Sequence, residues 1–255
     1  MTDSVARSFS WSGYRSLVQS FLDKGYEAKL FGELDSAASH VVLRHDIDFS
    51  LKAAVDIARI EADLGVRAQY YVLLQTECYN LCSSKDWGRV VEITELGHDV
   101  GLHFDASRYG QGIDTLEHAA DRECDILASI VGCDITSISF HRPAQTLLGL
   151  DRQLAGRDHA YQPKYFSDIA YVADSRGLFR YGHPLDHKAF EQSKAMQLLT
   201  HPIWWAETEA PEKMALLDKL LTDRAEILRS ETIANCKPYA EYMVSSGRKD
   251  ESFTE

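Results

Sequence analysis

The sequence lacks three features that would each define a class of protein. Cysteine is scarce: the five cysteines are odd in number and scattered, with no C-x-x-C pair, so we expect free thiols in a reducing cytosol. No apolar run approaches the length of about 20 residues that a membrane-spanning helix needs. The amino-terminal stretch MTDSVARSFSWSGY also lacks the apolar run of a signal peptide. We therefore expect a cytoplasmic protein that does not insert into a membrane.

Positive charge is also scarce. Lys and Arg number 27 against 39 Asp and Glu, which gives a formal net charge of −12. Binding to nucleic acid or to an anionic membrane relies on clustered Lys and Arg, so neither partner is expected. The 255 residues, 45% of them apolar, suffice for one large α/β domain or two small ones. No internal repeat or low-complexity tract is present, and nothing indicates an oligomeric state.

The hydrophobic pattern alternates between strands and helices. Such alternation predicts a parallel sheet, arranged either as a barrel or as a doubly wound sheet, with the site at the carboxyl ends of the strands. We predict one domain over residues 1–245 and a polar tail over 246–255. A helix over 12–24 and a short strand are expected before residue 40. Further strands are predicted at 41–46, 66–75, 98–105, 136–141, 168–174 and 196–201, and helices at 50–65, 86–97, 113–131 and 211–229.

Acidic and histidine side chains collect where the predicted strands end. Two of them, Asp46 and Asp48, share one face of a strand and repel each other unless a cation or a proton intervenes. Carboxylates combined with imidazoles suit a divalent metal such as zinc, cobalt, iron or manganese. This pattern favours a metal-dependent hydrolase. The full set is His45, Asp46, Asp48, His103, Asp105, His141, Arg142, Asp174, Arg176 and His201.

The segments RHDID, GHDVGLHFD, FHRP, ADSRG and LLTHP resemble, in order and approximate spacing, the five motifs of the polysaccharide deacetylase superfamily of NodB-homology carbohydrate esterases. The resemblance covers roughly residues 41–205. It implies a distorted (β/α)7 barrel with its groove at the strands' carboxyl ends. It also implies one divalent metal, expected to be Zn²⁺ with Co²⁺, Mn²⁺ or Fe²⁺ as alternatives. The implied reaction removes an N-acetyl or O-acetyl group from a sugar, expected to be a precursor of a bacterial surface polysaccharide.

The resemblance also implies the metal ligands. Asp48 is similar to the ligand of the first motif, although Ile47 separates it from Asp46 where the family usually has adjacent aspartates. His103 matches the first histidine of the second motif, but Ser107 stands where the second histidine is usual. The third ligand could be His141, Asp105 or water. We favour His141, which lies at a neighbouring strand end.

The catalytic residues implied by the resemblance are four. Asp46 is similar to the catalytic base, and Arg142 to the arginine that holds that base. His201 matches the general acid, and Asp174 matches the acidic residue that orients and charges this histidine.

Two other functions are open. Ser107 favours a barrel that has lost its metal and acts as a binding protein, whereas the joint presence of the charged motif residues argues against it. The superfamily also contains metal-dependent hydrolases that act on non-sugar amides. Metal analysis combined with a test for acetate release from acetylated amino sugars separates these alternatives.

Overall fold

The computed structural model describes residues 5–210 and 212–246. The chain divides into two compact units, Met1–Pro211 and Glu212–Glu255. Within the second unit, helix α7 (Met214–Asn235) extends beyond the predicted end near residue 229, and α8 (Lys237–Ser245) follows. The division into a domain over 1–245 and a tail over 246–255 stays a prediction, and residues 247–255 of that tail lie outside the described residues.

The first unit is an α/β fold built on one parallel sheet. The described strands are β1 (Glu27–Ala28), β2 (His40–Ile47), β3 (Gln69–Val72), β4 (Asp99–Asp105), β5 (Ser137–His141), β6 (Asp158–His159), β7 (Ala170–Ala173) and β8 (Met196–Thr200). They pair in the order β6-β5-β4-β3-β2-β8-β7, with β1 beside the start of β2, and form a curled half-barrel. This arrangement confirms the predicted distorted (β/α)7 barrel. The helices are α1 (Trp11–Asp23), α2 (Leu51–Asp63), α3 (Ser84–Glu95), α4 (Ile113–Val131), α5 (Pro163–Phe166) and α6 (Lys188–Glu191).

The predicted elements of this unit agree closely with the observed ones. Helix α4 has the predicted bounds and ends at Gly132, whose φ of 78° is the left-handed conformation that favours glycine. Strand β3 is shorter than its predicted range of 66–75. Strand β6 was not predicted, because two residues are too few to show a periodic pattern.

Alternate residues of β2 point into the half-barrel or out towards the helices. Arg44 and Asp46 point inwards, where Arg44 reaches Ser139 on the non-adjacent strand β5. His45 points outwards, on the opposite face from Asp46, and contacts Glu61 of α2. Strand β2 therefore carries polar contacts on both of its faces.

The outward contacts form a buried cluster around Glu61, which is 0% exposed. Its carboxylate accepts hydrogen bonds from the hydroxyls of Tyr14 and Tyr70, each at 2.5 Å, and from His45 Nε2 at 2.8 Å. Burial raises the pKa of Glu61, but His45 and Tyr14 outweigh it and hold the pKa below its ordinary value. Because Thr200 also bonds to His45, at 2.7 Å, the cluster ties α1, α2, β2, β3 and β8 together just below the strand ends.

In the described part of the chain, no helix combines the length and the apolar character that crossing a membrane requires. The cytoplasmic location expected from the sequence stays a prediction.

The interior of the half-barrel requires glycine at one position of β4. A Cβ atom built on Gly101 would lie 2.7 Å from the carbonyl oxygen of Ser137 and closer still to the ring of Tyr71. Tyr71 is 0% exposed and donates a hydrogen bond to Ser137 Oγ, so its ring has nowhere to move. Gly101 thus admits a bulky aromatic side chain into the interior.

We predict that Gly101→Ala lowers the free energy of unfolding by about 1–3 kcal/mol, the usual cost of overpacking a core. The matched control is Gly88→Ala within α3, where an added Cβ has no atom within 4 Å. This control should raise the free energy of unfolding by about 0.5–1 kcal/mol, because alanine is the better helix former. Urea denaturation measures both, and equal stability of Gly101→Ala and the parent would contradict the packing described.

Candidate active site

Three potential metal ligands meet at the carboxyl ends of β2, β4 and β5. Asp48 follows β2, His103 lies near the end of β4, and His141 ends β5. One ligand atom from each of the three side chains can be chosen so that all lie within 4.8 Å of one another. The carboxyl ends of neighbouring parallel strands converge, which is why residues so distant in sequence meet. The structure thus brings together the three residues predicted as ligands.

A single carboxylate oxygen faces both imidazoles. Asp48 Oδ1 lies 3.1 Å from His103 Nε2 and 3.3 Å from His141 Nδ1. His103 is buried, whereas Asp48 and His141 are half-buried and remain open to a cleft. Burial raises the pKa of Asp48, but hydrogen bonds from the two histidines outweigh it and leave the pKa far below its ordinary value. Asp48 is therefore an ionised carboxylate.

This donor set fits a divalent transition metal. Two imidazole nitrogens and one carboxylate oxygen form the kind of three-ligand set that catalytic zinc sites use, with a further position left for water or substrate. In one respect the site departs from the usual pattern: His103 Nδ1 is buried and has no hydrogen-bond partner among the described residues, whereas metal-bound histidines usually donate this second N–H.

Ser107, at the position where a second histidine is usual, serves another purpose. Its hydroxyl donates a 2.7 Å hydrogen bond to Asp105 Oδ1, and its backbone N–H reaches the same oxygen at 3.2 Å. The other oxygen of Asp105 accepts from Arg108, at 3.2 Å, and from Arg142. Asp105 is thus occupied by these contacts, and the geometry favours His141 over Asp105 as the third ligand.

Arg142 does not take the place predicted for it beside Asp46. Its guanidinium pairs with Asp105, and its side chain remains 58% exposed. The reason is the register of the sheet: His141 at the end of β5 lies opposite Asp105 on β4, so the next residue, Arg142, reaches Asp105 at the rim. The contact with the carboxylate of Asp46 is made by Arg44 instead.

Arg44 is a site residue that the sequence reasoning missed. It is 0% exposed, and its Nε and one terminal nitrogen donate to the two oxygens of Asp46 at 3.0 and 2.8 Å. Ser139 Oγ donates to the same carboxylate at 3.0 Å. Burial raises the pKa of Asp46, but Arg44 and His103 outweigh it and hold the pKa below its ordinary value. The sequence did contain a signal for this contact. Arg44 stands inside an apolar strand two residues before Asp46, and a two-residue spacing places both side chains on one face.

His201 and Asp174 form the predicted pair. His201 Nδ1 lies 2.6 Å from Asp174 Oδ1, and the backbone N–H of His201 donates to the same oxygen at 2.9 Å. Trp205 Nε1 donates to the other oxygen of Asp174 at 2.8 Å. Burial lowers the pKa of His201, but the hydrogen bond and the charge of Asp174 outweigh it and raise the pKa to about 9. Nδ1 is held by Asp174, and Nε2 points towards the ligand trio, 3.9 Å from Asp48 Oδ2.

A cleft of about 950 Å³ opens onto these groups. Asp48, His141 and His201 lie in its wall. Both tryptophans after His201 are buried. Trp205 lies beside Asp174, and Trp204 packs edge-to-face on Phe49 in the wall of the cleft, with ring centroids 6.4 Å apart. The cleft thus joins ionisable groups to aromatic side chains.

No protein-family model matches the chain, and no curated protein sequence matches it. Among solved structures, it is similar to a family 4 carbohydrate esterase from Bacillus anthracis, with 13% identity, a TM-score of 0.43, and coverage of 82% of this chain and 85% of that chain. It is also similar to a mutant of the peptidoglycan deacetylase PdaC from Bacillus subtilis, with 13% identity, a TM-score of 0.43, and coverage of 81% and 99%. A third is the deacetylase PplD from Streptococcus pyogenes in complex with acetate, with 11% identity, a TM-score of 0.41, and coverage of 81% and 85%.

We predict that in the chelator-treated protein His201 stays protonated at neutral pH and titrates near pH 9. Because its pKa is raised on folding, the pair stabilises the fold fully below about pH 6.5, the unfolded value, and progressively less as the pH rises through about 9. Asp174→Asn should lower the pKa of His201, since burial then acts without the nearby anion. An NMR titration of the imidazole measures this, with the exposed Asp63→Asn as the control that leaves the value unchanged. A parent value at or below 6.5 would contradict the assignment.

We predict that His141→Ala weakens zinc binding at least 100-fold. Mutating a residue that only hydrogen-bonds to a metal ligand typically lowers metal affinity about 10–100-fold, and removing a ligand itself should lower it more. Calorimetric titration of zinc into chelator-treated protein measures the change. The exposed His118→Ala on α4 is the control and should bind zinc as the parent does. Unchanged affinity in His141→Ala would remove His141 from the ligand set.

Proposed function

We propose that this protein is a metal-dependent hydrolase that removes an acetyl group from the nitrogen, or from an oxygen, of a sugar. The observation that carries the proposal is that an ionised carboxylate and a protonated imidazole lie beside the same three potential metal ligands. Asp46 is kept ionised by Arg44, and His201 is kept protonated by Asp174. A hydrolase needs such a pair, because one group must accept a proton and the other must donate one.

Asp48, His103 and His141 would hold the metal. A divalent cation bound there would supply Lewis acidity, which polarises a carbonyl group and makes water more acidic. Zn²⁺ is the expected ion, and Co²⁺, Mn²⁺ or Fe²⁺ suit the same ligands.

Asp46 acts as the general base. Its Oδ2 lies 3.8 Å from His103 Nε2, which places the carboxylate beside the ligand trio. It accepts the proton that water loses on attacking the acetyl carbon. Arg44 and Ser139 hold both carboxylate oxygens, so the group keeps one orientation and stays ionised before the attack. Holding a reacting group in a fixed orientation lowers the barrier of the step in which it takes part.

His201 acts as the general acid. An amine leaves poorly unless it is protonated, so the nitrogen must receive a proton as its bond to the acetyl carbon breaks. Nε2 of His201 faces the trio and is available to donate, while Nδ1 is held by Asp174. Acetate and the free amino sugar are the products. The proton that Asp46 accepted from water passes back to His201, which restores both the base and the acid.

The sugar as substrate is supported by the aromatic residues of the cleft and by the resemblance of the five motifs. Phe49 and Tyr171 line the cleft and are only half-buried, so their rings offer flat faces on which the C–H patches of a pyranose can stack. The more specific substrate in this proposal, an acetylated amino sugar that is a precursor of a bacterial surface polysaccharide, rests on the motif resemblance and on the expected cytoplasmic location.

We predict that zinc-loaded protein releases acetate from N-acetylated amino sugars. Asp46→Asn should lower the rate by about 10²–10⁴-fold, the contribution that a general base usually makes, because the amide of asparagine cannot accept the proton. Metal content should stay unchanged in this variant. The measurement is enzymatic assay of acetate, with the exposed Asp121→Asn as the control. Bound metal without acetate release from any sugar would point to a non-sugar amide, and absence of both would point to a binding protein. Full turnover in Asp46→Asn would remove Asp46 as the base.

A further inference from the structure

Three arginines in the cleft have no part in the proposed hydrolysis. Arg142, Arg176 and Arg180 all line it, and we refer to them as the arginine wall. Asp48 is the one acidic residue among the described residues that line the cleft. This local excess of positive charge occurs in a chain whose formal net charge is −12. Among the side chains that line the cleft, cationic ones therefore outnumber acidic ones, in contrast to the chain as a whole.

The segment that carries Arg176 and Arg180 is anchored on both sides. Before it, Asp174 is held by His201 and Trp205, and the N–H of Gly177 bonds back to the Asp174 carbonyl at 2.9 Å. Just ahead of Arg180, Phe179 packs on Phe9, with ring centroids 5.6 Å apart. The two arginines thus project from a built turn next to the catalytic pair.

The backbone of Arg176 adopts a conformation that side-chain-bearing residues rarely take. Its φ is 61° and its ψ is 29°, in the left-handed region. Arg142, across the sheet at the end of β5, also has a positive φ, of 51°. Unfavourable backbone geometry of this kind persists only where surrounding contacts impose it, and it is common where a side chain must be aimed at a ligand.

The charges of the wall are available to a ligand. Arg176 and Arg180 are exposed, and neither has an ion pair or hydrogen bond to another described residue. Arg142 pairs with Asp105 but keeps 58% of its side chain exposed. The planar guanidinium donates two parallel hydrogen bonds to a phosphate or a carboxylate, which a neutral sugar hydroxyl cannot match.

We propose that the arginine wall binds an anionic group of the substrate, so that the sugar carries a phosphate or a carboxylate in addition to its acetyl group. This inference rests on the proposed function for the acetyl group, but the anion site itself stands on the cleft alone. A volume of about 950 Å³ lies within the range of pockets that enclose ligands larger than a single sugar ring. The wall would select charged acetyl sugars over neutral ones.

The first experiment measures binding without metal and without turnover. Calorimetry on chelator-treated protein compares N-acetylglucosamine, its 1-phosphate and the corresponding uronic acid, whose carboxylate replaces the phosphate. We expect at least one charged sugar to bind about 10-fold or more tightly than the neutral sugar, as charge-assisted hydrogen bonds would give. Whichever charged sugar binds more tightly identifies the anionic group that the arginine wall prefers, phosphate or carboxylate. Equal binding of all three would overturn the proposal.

The second experiment uses the double variant Arg176→Asn/Arg180→Gln, since asparagine tolerates the left-handed backbone at position 176. It should lose the preference for the charged sugar and keep its affinity for the neutral one. The control Arg15→Gln/Arg59→Gln removes two exposed arginines outside the cleft and should keep the preference.

Charged-sugar binding without acetate release would refute the proposed function and leave the anion site. Acetate release at the same kcat/KM from neutral and charged sugars would refute the anion site alone.

Discussion

The interaction on which the site depends is the buried ion pair between Arg44 and Asp46. Arg44 lies entirely inside the half-barrel and donates to Asp46 on its own strand, to Ser139 on β5 and to Gln197 on β8. Burying a charge is costly unless it is paired and hydrogen-bonded, and removing one member of such a pair typically costs about 3–5 kcal/mol. This one side chain therefore links three strands and at the same time sets the ionisation and the direction of the carboxylate at the centre of the site.

Strand β2 is held from both sides. On the inner face, Arg44 binds Asp46, and on the outer face His45 binds the buried carboxylate of Glu61. Because successive residues of a strand point in opposite directions, polar contacts on both faces leave β2 little freedom to slide. Asp48 follows immediately, so its position relative to His103 and His141 is inherited from these contacts.

The departures of this chain from the motif pattern are related to one another. Ser107 does not supply a ligand nitrogen and instead completes the hydrogen bonding of Asp105. Asp105 in turn holds Arg142 at the rim, away from Asp46, whose partner is Arg44. His141 then completes the convergent trio. These changes are therefore connected. His141 takes the place of the missing second histidine, and Arg44 takes the place beside Asp46 that was predicted for Arg142.

The sequence by itself determined the order of strands and helices, the parallel sheet and the set of polar residues at the strand ends. These follow from local periodicity, which is why α4 was predicted to the residue while the two-residue β6 was not. Only the tertiary structure decided which polar residues meet. Arg44 shares a motif with Asp46, and Arg142 lies in the third motif, but it is Arg44 that is buried against Asp46 and Arg142 that lies at the rim. The two-residue spacing is compatible with the contact between Arg44 and Asp46, but the place of Arg142 depends on strand register and on a partner, Asp105, 37 positions away. A local pattern contains no information about either.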